Sequence, residues 1–167
     1  MKKIIIALLM ALPFTAMAAD LKIGVFNSQE IITIMPEYNA AMSELENMNL
    51  KFQTEGKKLQ EELEKKYQEY TSTAETLEPA IRQYKETELA RLQQSIQEFA
   101  TSAENNIKKK QQDLMMPIIN KINQAIKKVG DENGFTYIID NAANIIPYVA
   151  PSAENVLPLI KKALYIQ

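Results

Sequence analysis

The chain has 167 residues, 24% of them charged and 46% hydrophobic, with a formal net charge of −2, four Gly and no Cys, His or Trp. Without Cys or His there is no disulfide, no thiolate or imidazole metal site, no thiol nucleophile and no imidazole base. Neither G-x-G-x-x-G nor G-x-x-x-x-G-K occurs, so a phosphate-cradling loop is missing as well. The composition points away from an enzyme and towards binding or scaffolding, with no cofactor and no metal expected.

Met1-Lys2-Lys3 is a short basic start, Ile4 to Leu12 is an apolar run, and Ala16-Met17-Ala18 offers small residues where a signal peptidase reads. This is the layout of a secretory signal peptide covering residues 1–18. The run is too short for a membrane span, which needs about 20 apolar residues. Cleavage after Ala18 sends the mature chain out of the cytoplasm, in a bacterial cell to the periplasm. Loss of Lys2 and Lys3 takes the 19 basic residues to 17 against 21 acidic ones, a net charge of −4. A nucleic-acid binder usually shows the opposite balance.

Lys22 to Phe26 reads as a strand. Asn27-Ser28-Gln29-Glu30 has the capping-box pattern and opens a short helix to about Met35. From Pro36 a long seam begins: Tyr38, Met42, Leu45, Met48, Phe52, Gly56, Leu59, Leu63, Tyr67, Tyr70, Ala74 and Leu77. Steps of three and four over about six heptads predict a long helix with a coiled-coil-like face. Charges of alternating sign fill its other faces and read as a solvated surface. Thr71-Ser72-Thr73 weakens the helix, and Pro79 ends it by Glu78.

A second seam follows at Ile81, Tyr84, Leu89, Leu92, Ile96, Phe99, Ala103, Ile107 and Leu114. It is uneven, with one step of five residues (Tyr84 to Leu89) and a polar gap at Lys108 to Gln111. Pro36 and Pro117 lie at similar distances from Pro79, so folding the chain there brings them level. Residues 36–117 therefore read as an antiparallel helical hairpin with a proline at the base of each arm, and Pro36 and Pro117 are candidate hinges. Arms of about 40 residues would reach roughly 60 Å.

After Pro117 a helix continues to about Lys128, and the segment Gly130 to Gly134 stops it. Phe135 to Asp140 reads as a strand, Asn141 to Asn144 as a turn, and Ile145 to Val149 as a further strand marked by Pro147 as an edge or bulge. Val156, Leu157, Ile160 and Leu164 make a short amphipathic helix capped by Asn155.

The hairpin takes 82 residues, and the body, residues 19–35 and 118–167, takes 67. A body of under about 70 residues without disulfide or metal is marginal alone, and three short strands leave sheet edges open. The body is therefore expected to be completed by oligomerisation. It holds six basic and six acidic residues, whereas the hairpin holds 11 basic and 15 acidic. Glu61, Glu62 and Glu64 are the densest acidic cluster, but they lie within a charge ladder on a polar helix face, which argues against a carboxylate hydrolase.

These features, in this order, resemble the Skp/OmpH family of periplasmic chaperones across essentially the whole mature chain. The likeness is sharpest at Ile23 to Ile31 and Pro117 to Tyr148, above all Ile122 to Val129 and Tyr137 to Asp140. The resemblance implies a mainly α fold with a small β body, in which a long helical hairpin, or tentacle, projects from a β-barrel completed by oligomerisation. Family members are homotrimers that enclose unfolded outer-membrane proteins between their tentacles, without ATP, and prevent their aggregation on the way to the outer membrane. It further implies oligomer contacts at Ile23, Val25, Ile138, Ile139, Ile145 and Tyr148. Client contacts would fall at Met42, Met48, Phe52, Tyr67, Tyr70 and Phe99. Well-known members are strongly basic and this hairpin is acidic, so their lipopolysaccharide site is not carried over. The alternative reading is an exported coiled-coil adaptor that bridges envelope components.

Overall fold

In the computed structural model, which describes residues 21–166, the elements run β1 (Ile23–Phe26), α1 (Ser28–Ile34), α2 (Pro36–Thr73), α3 (Pro79–Asn133), β2 (Tyr137–Asp140), β3 (Glu154–Asn155) and α4 (Leu157–Ala163). Residues 1–18, expected from the sequence to be a signal peptide, lie outside the described residues. The chain is mostly helical, and α2 and α3 form the expected antiparallel hairpin. At 38 residues α2 is about 57 Å long.

The sheet order is β2-β1-β3, with both pairings parallel. Ile23 pairs with Tyr137 and Val25 with Ile139, so the entire hairpin is the crossover between β1 and β2. Gly24 and Phe26 turn to the core while Ile23 and Val25 turn to the other face. Gly24 is needed for close approach, since a Cβ there would lie 2.6 Å from Val156 Cγ1. Lys22 pins the start of β1. Its Nζ donates to the Asn133 carbonyl at 3.2 Å, pairs with Glu154 at 3.1 Å, and sits 4.1 Å above the Phe135 ring.

The core gathers Phe26, Ile31 and Met35 with a stripe from the base of α3 (Ile118, Ile122, Ala125, Val129) and one from α4 (Val156, Ile160, Leu164). Tyr38, Met42, Leu114 and Met115 pack against it, so the body core runs on into the root of the hairpin. Pro36 opens α2 at its first turn, where a missing N–H costs nothing. Pro117 lies inside α3, which continues through it without a break.

Local chemistry explains where the elements end. Asn27 Oδ1 accepts from Gln29 N at 3.0 Å, as the capping pattern predicts. Asp140 Oδ1 adds to the cap by accepting from Ser28 N and Ala142 N, both at 3.0 Å. Partial burial pushes the Asp140 carboxyl up, but these hydrogen bonds outweigh it and hold the pKa below its ordinary value. At the end of α2 the Thr71, Ser72 and Thr73 hydroxyls donate back to carbonyls within the last turn. Asn155 Oδ1 accepts from Leu157 N at 3.0 Å, but the N-cap position of α4 is Val156, one residue beyond the cap expected.

Two further expectations need correction. The helix expected to end at about Lys128 runs on to Asn133, and the stop expected within Gly130 to Gly134 falls at Gly134, which takes φ 67 and donates to the Gly130 carbonyl. Lys127–Asp131 and Lys128–Glu132 pairs one turn apart carry the helix across Gly130. The strand expected over Ile145 to Val149 is irregular. Asn144 takes φ 51, Ile146 N is spent on Asn141 Oδ1, and Pro147 has no N–H to offer a ladder. The third strand is Glu154–Asn155, on the far side of β1 from β2.

Candidate functional site

The hairpin is held by a mixed seam. Phe52 and Phe99 meet edge to face at 6.0 Å between ring centres. Four polar links join the arms or brace their root. Lys110 pairs with Glu44 and Lys66 with Glu88, each at 2.7 Å, while Tyr70 donates to Glu86 and Lys121 to Glu37. As partners climb one helix they descend the other, which fixes the antiparallel register.

These links explain the irregularities of the second seam. Lys85 and Glu88 are half-buried where the apolar pattern steps by five residues, and Lys110 is half-buried inside the polar gap. The α3 seam thus runs Lys85, Glu88, Leu92, Ile96, Phe99, Ala103, Ile107, Lys110, Leu114 in unbroken steps of three and four. On α2, Lys66 takes the seam place expected for Tyr67. The Lys66 and Glu88 side chains are still 36% and 43% exposed, so water screens their pair and it fixes register more than it adds stability. Each holds the other charged: hydrogen bonding to Glu88 raises the Lys66 pKa, and hydrogen bonding to Lys66 lowers that of Glu88. Glu86 likewise raises the Tyr70 phenol, and Lys121 lowers the Glu37 carboxyl.

Of the six residues expected to meet a client, Met42, Met48, Phe52, Tyr70 and Phe99 are half-buried. Phe52, Phe99 and Tyr70 make the cross-arm contacts above, and Met42 packs against the core. Only Tyr67 faces water, 56% exposed. The other outward apolar side chains of the hairpin are Leu50, Ile81, Tyr84 and Met116. Leu50 was legible as an apolar residue lying between seam positions Met48 and Phe52. Ile81 and Tyr84 were placed on the seam, and the five-residue step after Tyr84 was the sign that they leave it. Glu61, Glu62 and Glu64 are exposed along α2. Among the described residues no group of three carboxylates is arranged to hold a metal ion.

Gly56 lies on the seam, and an added Cβ would meet Phe99 Cε1 at 3.6 Å, an ordinary contact. Gly56→Ala should therefore stabilise the hairpin by about 0.5–1 kcal/mol through helix propensity, read as a higher urea midpoint followed by circular dichroism.

In the body, parallel register puts Ile23, Val25, Tyr137 and Ile139 on the sheet face turned away from the core. Tyr137, 59% exposed, was not among the oligomer contacts expected from the sequence. Ile138 turns the other way and packs against the core. Ile145 and Tyr148 stand in the irregular segment at 73% and 74% exposure. On the opposite, core side of the sheet, Ile32, Ile119, Ile126 and Ile138 line a cleft of about 470 Å³ between α1, the base of α3 and β2. No helix among the described residues is long and apolar enough to cross a membrane.

The family described as outer membrane protein (OmpH-like) matches residues 22–164. The chain is similar to the chaperone protein Skp of Yersinia enterocolitica, 25% identical over 153 residues and 92% of each chain. It is similar to that of Photorhabdus laumondii, 27% identical over 166 residues, 97% of this chain and 98% of the other. A third Skp, from Pectobacterium atrosepticum, is 25% identical over 157 residues, 94% of this chain and 93% of that one. The match spans β1, the whole hairpin and the closing strands, in the order that the sequence reading set out: the chain belongs to the OmpH-like outer membrane protein family.

Proposed function

We propose that this protein is an ATP-independent holdase of the periplasm, exported by its signal peptide, which encloses unfolded outer-membrane proteins and keeps them from aggregating. Three copies would join through the body. The outer face of Ile23, Val25, Tyr137 and Ile139, with Ile145 and Tyr148, would close into a shared barrel, leaving three hairpins to surround the client. Pro36 and Pro117 would mark the junction of body and tentacle.

The observation that carries this reading is the pairing of two surfaces on one chain. A small body has an outer apolar sheet face that is half-buried except at Tyr137, with Ile145 and Tyr148 exposed, and a hairpin of about 57 Å leads away from it with isolated apolar side chains facing water. Relatives named as chaperones, matched nearly end to end, support the same reading. Isolated Tyr, Leu and Met side chains on a charged shaft suit a partner of no fixed shape, because Met adapts and Tyr is amphipathic.

The test is the mass of the purified mature protein with and without an unfolded β-barrel protein, alongside the turbidity of that client on dilution from urea. A trimer that takes up one client chain and suppresses turbidity is the expected result. A folded assembly that leaves the client aggregating at its unassisted rate would overturn the holdase reading, and capture of folded envelope proteins instead would favour the adaptor.

A further inference from the structure

The methionines of this chain are concentrated in one place. Of its eight, Met1, Met10 and Met17 fall in residues 1–18, and the other five are Met35, Met42, Met48, Met115 and Met116. These five lie around Pro36 and Pro117, at the root of the hairpin. The ion pairs Lys121–Glu37 and Lys110–Glu44 join α3 to α2 there, and Met42 on one arm and Met115 and Met116 on the other fall between them. Farther out the apolar seam is made of Phe52, Leu59, Leu63, Leu92, Ile96 and Phe99, without methionine.

Burial of the five is graded. Met35 has no exposed surface and belongs to the core. Met42 and Met115 are half-buried and pack against that core, Met48 is half-buried on the seam, and Met116 is 54% exposed. Pro117 has no N–H to give to the Asp113 carbonyl, which leaves α3 one hydrogen bond short beside Met115 and Met116. An unbranched, adaptable thioether fills the uneven packing around such a point.

The chain has no Cys, so methionine carries all of its sulfur. With a peroxide, the sulfur lone pair attacks one peroxide oxygen, and the S–O bond forms as the O–O bond breaks. The departing hydroxide takes the proton of the transferred oxygen and leaves as water. Sulfur is oxidised by two electrons and the peroxide is reduced by two, giving a polar sulfoxide. On Met116 the new oxygen meets water and disturbs little. On Met42 or Met115 it enters an apolar contact and loses water as a partner, which favours parting of the hairpin root from the core.

From this placement we infer that Met42 and Met115 form an oxidation site, at which a two-electron oxidant of the peroxide class loosens the root of the hairpin from the body. Met116 is the outer sulfur that reacts first, and Met35 is shielded by the core. The effect is independent of what the hairpin holds.

The test treats the full mature protein with hydrogen peroxide, locates the sulfoxides by peptide mass spectrometry and follows amide hydrogen exchange over residues 37–48 and 112–122. Met116 should react first, Met42 and Met115 next, and Met35 last. Exchange should stay at its untreated rate while Met116 alone is oxidised and rise about tenfold once Met42 and Met115 follow. Methionine sulfoxide reductases should restore the protection. Met42→Leu with Met115→Leu, apolar swaps of similar volume, should keep the root protected under the same treatment, whereas Met116→Leu should lose protection as the wild type does. Unchanged exchange after Met42 and Met115 are oxidised, or the same rise in the double Leu variant, would overturn the inference. A folded protein in which Met116 alone reacts, however long the treatment, would overturn it as well.

Discussion

Ile145→Asp combined with Tyr148→Asp should reduce the mature protein from an assembly to single chains in light scattering while most of its helical signal remains. Both side chains are about three-quarters exposed on the single chain. Aspartate there meets water and disturbs no core, so within one chain the change is worth no more than about 0.5 kcal/mol. Inside a subunit contact the same change buries unpaired carboxylates, at a cost of several kcal/mol per group. Closed symmetry repeats that cost at every interface. The two situations therefore differ by a large factor in one experiment. The hairpin keeps its helical signal because its seam lies between α2 and α3 of the same chain. Leu50→Asp, on the exposed shaft, is the matched control and should leave the mass unchanged. A double variant that keeps the wild-type mass would place the segment 145–149 outside the contact, and with it the barrel drawn for the body.

Long-period features were legible in the sequence because they repeat. The hairpin arms and the stripe of Val156, Ile160 and Leu164 each rest on several residues voting for one periodicity, and the turn between the arms on the strong local signal of Pro79. Positions where one residue decides were not. Lys66 and Lys110 sit in the seam because a lysine can lay its aliphatic stem along an apolar surface and send its charge to a partner. An apolar pattern read along one helix passes over such a residue and takes the neighbouring tyrosine instead, and the partners Glu88 and Glu44 are far away along the chain. Ile145 to Val149 has the composition of a strand, but whether such a segment pairs depends on an edge being offered to it. Within one chain, β1 has its two neighbours in β2 and Glu154–Asn155.

The candidate site divides in the same way. The body face follows from alternation along β1 and the parallel register with β2. The resemblance named Ile23, Val25 and Ile139 together with Ile138, which the register turns to the core, while Tyr137, opposite Ile23, became visible as part of the face only through the pairing. On the hairpin the apolar residues most prominent in the sequence are mostly those that hold the arms together. The outward ones break the periodicity that made the others conspicuous, and for that reason they are the residues free to meet a partner.

The contribution of α4 to the body is the second large effect. At seven residues, α4 is far below the length at which a helix persists alone in water. It is held by packing, and Ile160, with no exposed surface, is the middle of its buried stripe. Ile160→Ala removes that side chain from beside a core whose other members come from β1, α1, α2 and α3 as well as the ends of α4, none of which can close the gap without giving up its own contacts. The expected cost is about 2–5 kcal/mol, against about 0.5–1.5 kcal/mol for Ile160→Val. In a core this small the larger figure is a substantial part of the total stability. Because Tyr38, Met42, Leu114 and Met115 pack on the same core, the loss should spread to the root of the hairpin and be seen in the helical signal as well as in the body. Urea titrations of the two variants should give midpoints in the order wild type, Val, Ala, with Ala well separated. Midpoints for both within error of wild type would mean that α4 is not part of the body core, and that neither β3 nor the base of α3 is braced by it.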